Sequence, residues 1–440
     1  MTTQEQESPT KKSGTVIKES YYEPHYLALE KQRLWPRAWQ MACREEELTE
    51  AGNYITYDIG DESIVIVRSP AGKLNAFYNV CQHRGRRLAR GCGTAQRLRC
   101  PFHGWQWDLD GKNVFVTQRD DWGDELNEDE IRLKPVQCDT WGGFVFVNLA
   151  PDCEPLETYL GEAAKTLAPF QLDKMRFRWR KWLIMPCNWK IALEAFNEGY
   201  HVNVTHFRLA QYGATTFHVS RTHGIHSMFG PLGAKGTQQP QTITPTTANA
   251  PKQVAEFYGY LKKALDSNMT DTILESARHV AENAPNDLPR AQAFQQTFQM
   301  AMQDDDARGV SWPKLTSEQL LAGGTDWHIF PNMVLLPMAT NCLGYRARPN
   351  GDDPNTCIFE VYQLERFPEG KAPRQVENLR NDDIYDEAFW GEILLQDFQQ
   401  MEGTHRGLKS ASYQGPRLNP IQEKPISNFH RVYQEYLSRP

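Results

Sequence analysis

The sequence predicts an α+β fold: a compact antiparallel β domain, then a mixed domain with a central antiparallel sheet flanked by helices. Between Asn53 and Val147, short β-rich runs alternate with Gly- and Asp-bearing turns. From Glu157 onward, helical and strand-like stretches are interspersed without an internal repeat. A chain of 440 residues, 40% of them hydrophobic, can fill more than one core.

Taken in order, residues 1–14 are polar and lack the apolar side chains that offset ordering entropy, so they read as a tail. Residues 15–44 read as a helical segment. Tyr26, Leu27, Leu29, Leu34, Trp35 and Trp39 recur at helical intervals around Pro36. Residues 45–150 form the β domain. The runs Tyr54–Tyr57, Ile64–Val67 and Ala76–Tyr78 precede two loops rich in Cys and His, and Trp105–Asp108 and Gly143–Val147 follow them. Residues 151–440 form the mixed domain, with a helix over Glu157–Leu167 and a strand over Met175–Met185. Residues 251–307 read as a core-packing helix pair, with a mobile lid as the alternative. Strands return over Trp327–Leu336 and in a hairpin of Cys342–Arg348 with Cys357–Phe367, and the last sixty residues are helical.

A net charge of −7 gives no footprint for nucleic acid or a membrane surface. No run approaches eighteen apolar residues and the start has no apolar h-region, so a cytoplasmic location is expected. Nine Cys without a framework pattern fit a reducing compartment. Seven of them (Cys43, Cys92, Cys138, Cys153, Cys187, Cys342 and Cys357) read as small buried or incidental thiols.

The other two carry chemistry. Cys81-Gln82-His83-Arg84-Gly85 and Cys100-Pro101-Phe102-His103-Gly104-Trp105 each supply one thiolate and one imidazole from a Gly-punctuated loop. Two sulfur and two nitrogen donors suit either a zinc ion or a two-iron, two-sulfur cluster. A second stretch, Asn188 to His206, holds His201 and His206 five apart, with Glu198 three before the first. Residues five apart diverge by about 140° on an ideal helix, so both rings reach one ion only where the helix loosens or ends. His218, His223 and His226 read as pocket wall or strand surface, and Phe217, Met228, Phe229, Phe330, Met333 and Met338 as either an apolar pocket or ordinary core.

Together C-x-H-R-G, C-P-x-H-G-W and N-W-K…E-x-F…x-Y-H…H resemble the large subunits of Rieske non-heme iron oxygenases, the family of aromatic ring-hydroxylating dioxygenases. Arg86 and Phe102 stand where respiratory Rieske proteins have two further Cys. The resemblance implies that Cys81, His83, Cys100 and His103 hold a 2Fe-2S Rieske cluster. It also implies that His201 and His206, with Asp397 as the third ligand, hold a mononuclear Fe(II). Asp383, Asp386, Glu392 and Glu402 are rival carboxylates by spacing. Glu198 stands where most members have Asp; in the family this carboxylate links an iron-ligand His to a cluster His of a neighbouring subunit. Relatives resembling carnitine monooxygenase also use Glu.

The implied activity is that of a terminal oxygenase, an oxidoreductase that activates O2 to hydroxylate an apolar, aromatic or polycyclic substrate. The alternatives are a monooxygenase-type oxidative demethylase or quaternary-ammonium oxygenase, an electron carrier without oxygen chemistry, and a zinc-stabilised binding protein. No G-x-G-x-x-G opens a helix after a strand, so electrons are expected from a separate NAD(P)H reductase, directly or through a ferredoxin. A homotrimer or a multiple of one is expected, with room for a small beta subunit.

Overall fold

The computed structural model describes residues 16–212, 218–231 and 249–439. The expected tail, residues 1–14, and Phe217 lie outside them. The first sheet has seven strands in the order Gln40–Arg44, Phe144–Asn148, Pro135–Trp141, Leu74–Tyr78, Glu62–Arg68, Asn53–Ile59 and Cys92–Thr94, all neighbours antiparallel. Its strand Glu62–Arg68 shows what the unbroken apolar run Ile64-Val65-Ile66-Val67 is for. Alternate side chains face opposite sides. Ile64 and Ile66 join the large core with Trp35 and Phe144, while Val65 and Val67 join a second core with Trp105, Trp107, Cys81 and Cys100. A small sheet of Leu98–Arg99, Gln106–Trp107 and Asn113–Phe115 covers this second core.

The stretch expected to be helical up to residue 44 ends earlier. Gln40–Arg44 is a fully buried strand paired with Phe144–Asn148. Tertiary contacts decide this: Arg346, from the other large sheet, donates to the carbonyls of Met41 and Ala42 while ion-paired to Glu360.

The second large sheet has eight strands in the order His218–His223, His226–Pro231, Asp326–Ile329, Met333–Pro337, Asn341–Asn350, Asp353–Glu365, Arg176–Met185 and Asn378–Arg380. All pairs are antiparallel except the last. The region 251–307 is three helices rather than a pair, Ala250–Ala264, Asp271–Asn283 and Arg290–Ala307. Beyond the sheet lie the helices Glu392–Leu408 and Lys424–Ser438. No helix among the described residues is long and apolar enough to cross a membrane.

The N-W-K stretch locks these pieces together. Asn188 caps the helix Trp189–Glu194, its side chain accepting from the Lys190 N–H. Fully buried Lys190 reaches Glu30 at 2.6 Å, and Glu30 also accepts from Trp189 and Tyr433, so the N-terminal segment, this helix and the last helix share one carboxylate. Glu194 similarly pairs with His430 at 2.7 Å and accepts from Tyr21. A buried charge left alone costs far more than one that is paired, which accounts for so many partners around each.

Candidate metal centres and substrate cavity

The two cluster loops fold alike. In each, the Gly N–H returns to the Cys carbonyl at 3.0 Å (Gly85 to Cys81, Gly104 to Cys100), closing a tight turn. Both glycines have positive φ, +73° and +78°, a backbone conformation that side-chain-bearing residues rarely adopt. The turns bring the imidazoles of His83 and His103 to 4.7 Å between ring centroids, and both Nδ1 atoms are buried without a hydrogen-bond partner. Buried imidazole nitrogens are normally paired, and two unpaired ones side by side, on loops that each also carry a Cys, fit a metal-ligand role. Burial, then the neighbouring His103 and Arg84 charges, keep His83 below its usual pKa and hence neutral, as a ligand must be. Burial raises the Cys81 thiol; the backbone N–H groups of His83 and Arg84, which lower it, are aimed at its sulfur, and the Cys100 thiol lies beside it. Among the described residues, the only three such ligand atoms within 4.8 Å of one another belong to the other site, so these four do not converge on a single ion. That spread suits a two-iron cluster better than tetrahedral zinc. Trp105 stacks on His83, and Trp122 closes its edge.

The second site forms where the helix Trp189–Glu194 has ended. The single turn Val202–Thr205 is bracketed by His201 and His206, and His206 leaves helical geometry. The break brings the rings to 5.2 Å at 76°, close to perpendicular. His206 Nε2 lies 3.0 Å and His201 Nε2 3.8 Å from Asp397 Oδ1, and the three ligand atoms fall within 4.8 Å of one another. The far nitrogens are held as well. His201 Nδ1 lies 2.7 Å from Glu198 Oε1, and His206 Nδ1 2.8 Å from Gln396 Oε1. Each ring therefore presents Nε2 to the shared point. Burial opposes protonation of both rings. For His201, the Glu198 hydrogen bond and charge and the Asp397 charge outweigh it; for His206, Asp397 and Gln396 do, and both pKa values are raised. The surroundings thus favour positive charge where the three ligands meet, and this donor set fits a divalent iron.

The rival carboxylates are committed elsewhere. Asp386 caps a helix through the Phe389 N–H, Asp383 accepts from the Tyr385 N–H, Glu392 pairs with Arg208, and Glu402 with Arg406. Glu198 is nearly buried, and its second oxygen accepts from the Tyr200 and His201 N–H groups. Of the downstream histidines, His226 is core rather than pocket wall or strand surface: its Nδ1 accepts from the Phe330 N–H and its Nε2 donates to the Tyr159 carbonyl. His223 packs on Trp327. The backbone at residue 218 belongs to the same hairpin.

A cavity of about 570 Å³ opens onto His201, His206 and Asp397. Its walls are largely aromatic and aliphatic, including Phe196, Phe229, Phe257, Tyr258, Trp312 and Tyr345. Phe196 stacks on Tyr345 at 3.8 Å, and both line the cavity together with His201, His206 and Asp397. The helices of residues 250–307 supply one wall. Of the expected pocket residues, Phe229 and Met338 line the cavity, whereas Met228, Phe330 and Met333 are buried without being among its lining residues. Among the described lining residues there is no Lys or Arg. Sequence reasoning missed Gln396 and Asp326. Asp326 lines the cavity, and burial, then the charges of Asp397 and Glu198, push its carboxyl well above the usual carboxylate range. An acid at the head of an otherwise buried strand was the available signal.

Comparison with known proteins finds a family match for each part of the chain. Residues 38–123 match the Rieske [2Fe-2S] domain, and residues 162–439 match the ring hydroxylating alpha subunit catalytic domain. Such domains carry a 2Fe-2S cluster and a mononuclear iron. The chain is 35% identical over 187 residues to the glycine betaine monooxygenase oxygenase subunit of Chromohalobacter salexigens, covering 42% of each chain. It is 32% identical over 205 residues to the benzene 1,2-dioxygenase subunit alpha of Pseudomonas putida, covering 44% of each. These alignments span less than half the length of either relative. A solved quaternary ammonium Rieske monooxygenase in complex with L-carnitine shares the fold, with a TM-score of 0.64, 19% identity and coverage of 96% of this chain and 95% of that one.

Proposed function

The chain belongs to the ring-hydroxylating oxygenase alpha-subunit family, and from that premise we propose that it oxygenates an organic substrate with an apolar, aromatic or polycyclic body. Cys81, Cys100, His83 and His103 would hold the cluster, thiolates on one iron and imidazoles on the other, and His201, His206 and Asp397 would hold the mononuclear iron. When bound, the cluster supplies single electrons and the iron a centre for oxygen activation. The residues around them do the positioning. Glu198 and Gln396 fix the tautomers of His201 and His206, Phe196 and Tyr345 wall the ligands on the cavity side, and the apolar lining excludes water from the reacting face.

The observation that carries the substrate class is the cavity: aromatic walls, and no Lys or Arg among its described lining residues. Glycine betaine and carnitine each carry a carboxylate, for which those walls offer no cation. The quaternary-ammonium reading is nonetheless supported by the relatives' activities and by the aromatic walls with Glu198, Asp326 and Asp397, which suit a cationic group. Oxygen uptake by the enzyme reconstituted with a reductase separates the two. Uptake is expected with naphthalene or biphenyl; uptake with glycine betaine or carnitine alone overturns the apolar reading.

The same reading includes a ring of subunits, a trimer or a multiple of one. Tyr200, Val204 and Phe207 are 55%, 82% and 50% exposed on the segment that carries Glu198 and His201. On the cluster tip Phe102 is 58% exposed against His103. Apolar side chains left open at both sites are what mutual docking of neighbouring subunits would cover. Electrons enter from a separate NAD(P)H reductase, directly or through a ferredoxin.

A further inference from the structure

The cavity is not uniformly apolar. Three of its lining residues bury a polar side-chain atom that has no hydrogen-bond partner: Asp326 Oδ1, Asn268 Oδ1 and Thr340 Oγ1. Asp326 is 6% exposed and opens the strand Asp326–Ile329. The next residue, Trp327, faces the other way and donates to the Gly323 carbonyl, as strand alternation requires. The Asp326 carboxyl is thus directed into the cavity by the backbone, and among the described lining residues there is no Lys or Arg to compensate it. The ionised groups that act on it are Asp397 and Glu198, both of its own sign.

Buried polar atoms in folded proteins are paired almost without exception. Water can meet that need as long as no substrate fills the cavity. A pure hydrocarbon that displaces this water leaves all three atoms unpaired, which works against its binding. Resting on the apolar-substrate reading above, we propose that Asp326 is a specificity-determining residue that hydrogen-bonds an uncharged hydroxyl or carbonyl oxygen on the substrate's apolar body. Burial, then the two neighbouring carboxyl groups, raise its pKa; a protonated carboxyl can donate to a carbonyl or both donate to and accept from a hydroxyl, and an ionised one still accepts from a hydroxyl. Asn268 and Thr340 offer the same kind of contact elsewhere on the wall.

The test uses the metal-loaded enzyme under anaerobic conditions and calorimetric titration with three probes of one shape: naphthalene, 2-naphthol and (2-naphthyl)trimethylammonium. The unmodified enzyme is expected to bind 2-naphthol at least about tenfold more tightly than naphthalene. Asp326→Leu should remove that preference while retaining naphthalene binding, and Asp326→Asn, which still donates and accepts, should keep most of it. Unchanged far-UV circular dichroism and thermal unfolding in both variants show that they fold. Naphthalene bound as tightly as 2-naphthol, or a preference that survives in Asp326→Leu, overturns the role of Asp326 and leaves the apolar-substrate reading standing. Tightest binding of the trimethylammonium probe, lost in both variants, overturns it in favour of an ionised counter-ion. Binding of none of the three removes the apolar-substrate reading, and the proposal with it.

Discussion

His206 Nδ1 and Gln396 Oε1 lie 2.8 Å apart, and Gln396 is the residue immediately before the carboxylate that His206 faces with its other nitrogen, Asp397. One helix, Glu392–Leu408, thus supplies both the group that orients the ring and the group that shares its ligand point. An amide oxygen there accepts the Nδ1–H and leaves the Nε2 lone pair free for a metal. Gln396→Leu should weaken iron binding about 10- to 100-fold without changing the cluster spectrum, and Gln396→Glu, which retains an acceptor, should bind iron nearly as well as the unmodified protein. Iron retained after dialysis against a graded chelator measures both.

The two metal sites lie in separate cores, so their losses should separate. Cys81→Ser or His103→Ala is expected to abolish the two-iron absorbance and turnover together, because a missing ligand leaves one iron undercoordinated. His206→Ala or Asp397→Ala should abolish turnover and spare the absorbance. Visible spectra and oxygen uptake on the same preparations decide it, and a cluster that survives Cys81→Ser would contradict the assignment.

Both candidate sites were visible in the chain because their residues are close in sequence: each cluster loop is five or six residues long, and Glu198, His201 and His206 span nine. The proposed third ligand, Asp397, came only from the resemblance, since four other acids share its neighbourhood in sequence and only packing shows that each has another partner. Gln396 and Asp326 were invisible for a related reason: their meaning depends on His206 and on a cavity assembled from segments more than a hundred residues apart. The strand at Gln40–Arg44 was hidden by the helical spacing just before it, and pairing with Phe144–Asn148 overrides local preference there. His226 could be placed on a hairpin but not in the core, because strand parity does not say which face is covered.

Burial pushes the pKa of His226 from its ordinary 6.5 down to about 4. Between those values the unfolded chain binds a proton that the folded chain does not, so stability is complete above pH 6.5 and falls as the pH drops toward 4. The shift corresponds to about 3 kcal/mol at the acid end of that window. His226→Leu loses the hydrogen bonds to Phe330 and Tyr159 and should be less stable at pH 7. Its denaturation midpoint should nevertheless decline less steeply between pH 6.5 and 5 than that of the unmodified protein, a comparison that thermal melts across the window provide.

Glu198 already uses both carboxylate oxygens within its own chain. One oxygen faces His201 Nδ1 at 2.7 Å, and the other accepts the backbone N–H groups of Tyr200 and, at 3.0 Å, His201. Gln in its place has one acceptor oxygen for two sets of donors, so either the ring or the backbone turn faces an NH2 group. If Glu198 also accepts from a cluster imidazole of a neighbouring subunit, the substitution removes the charge that polarises both rings at once. Glu198→Gln is expected to keep the cluster, the oligomeric state and, with excess Fe(II) supplied, the iron, because the amide oxygen can still accept the His201 Nδ1–H. A pre-reduced cluster in this variant should reoxidise about 10- to 100-fold more slowly once substrate and oxygen are added. Single-turnover absorbance follows that step directly, and sedimentation of the same sample reports the assembly. Reoxidation at the unmodified rate would confine Glu198 to orienting its own loop and His201, and would leave the path between the sites to other groups.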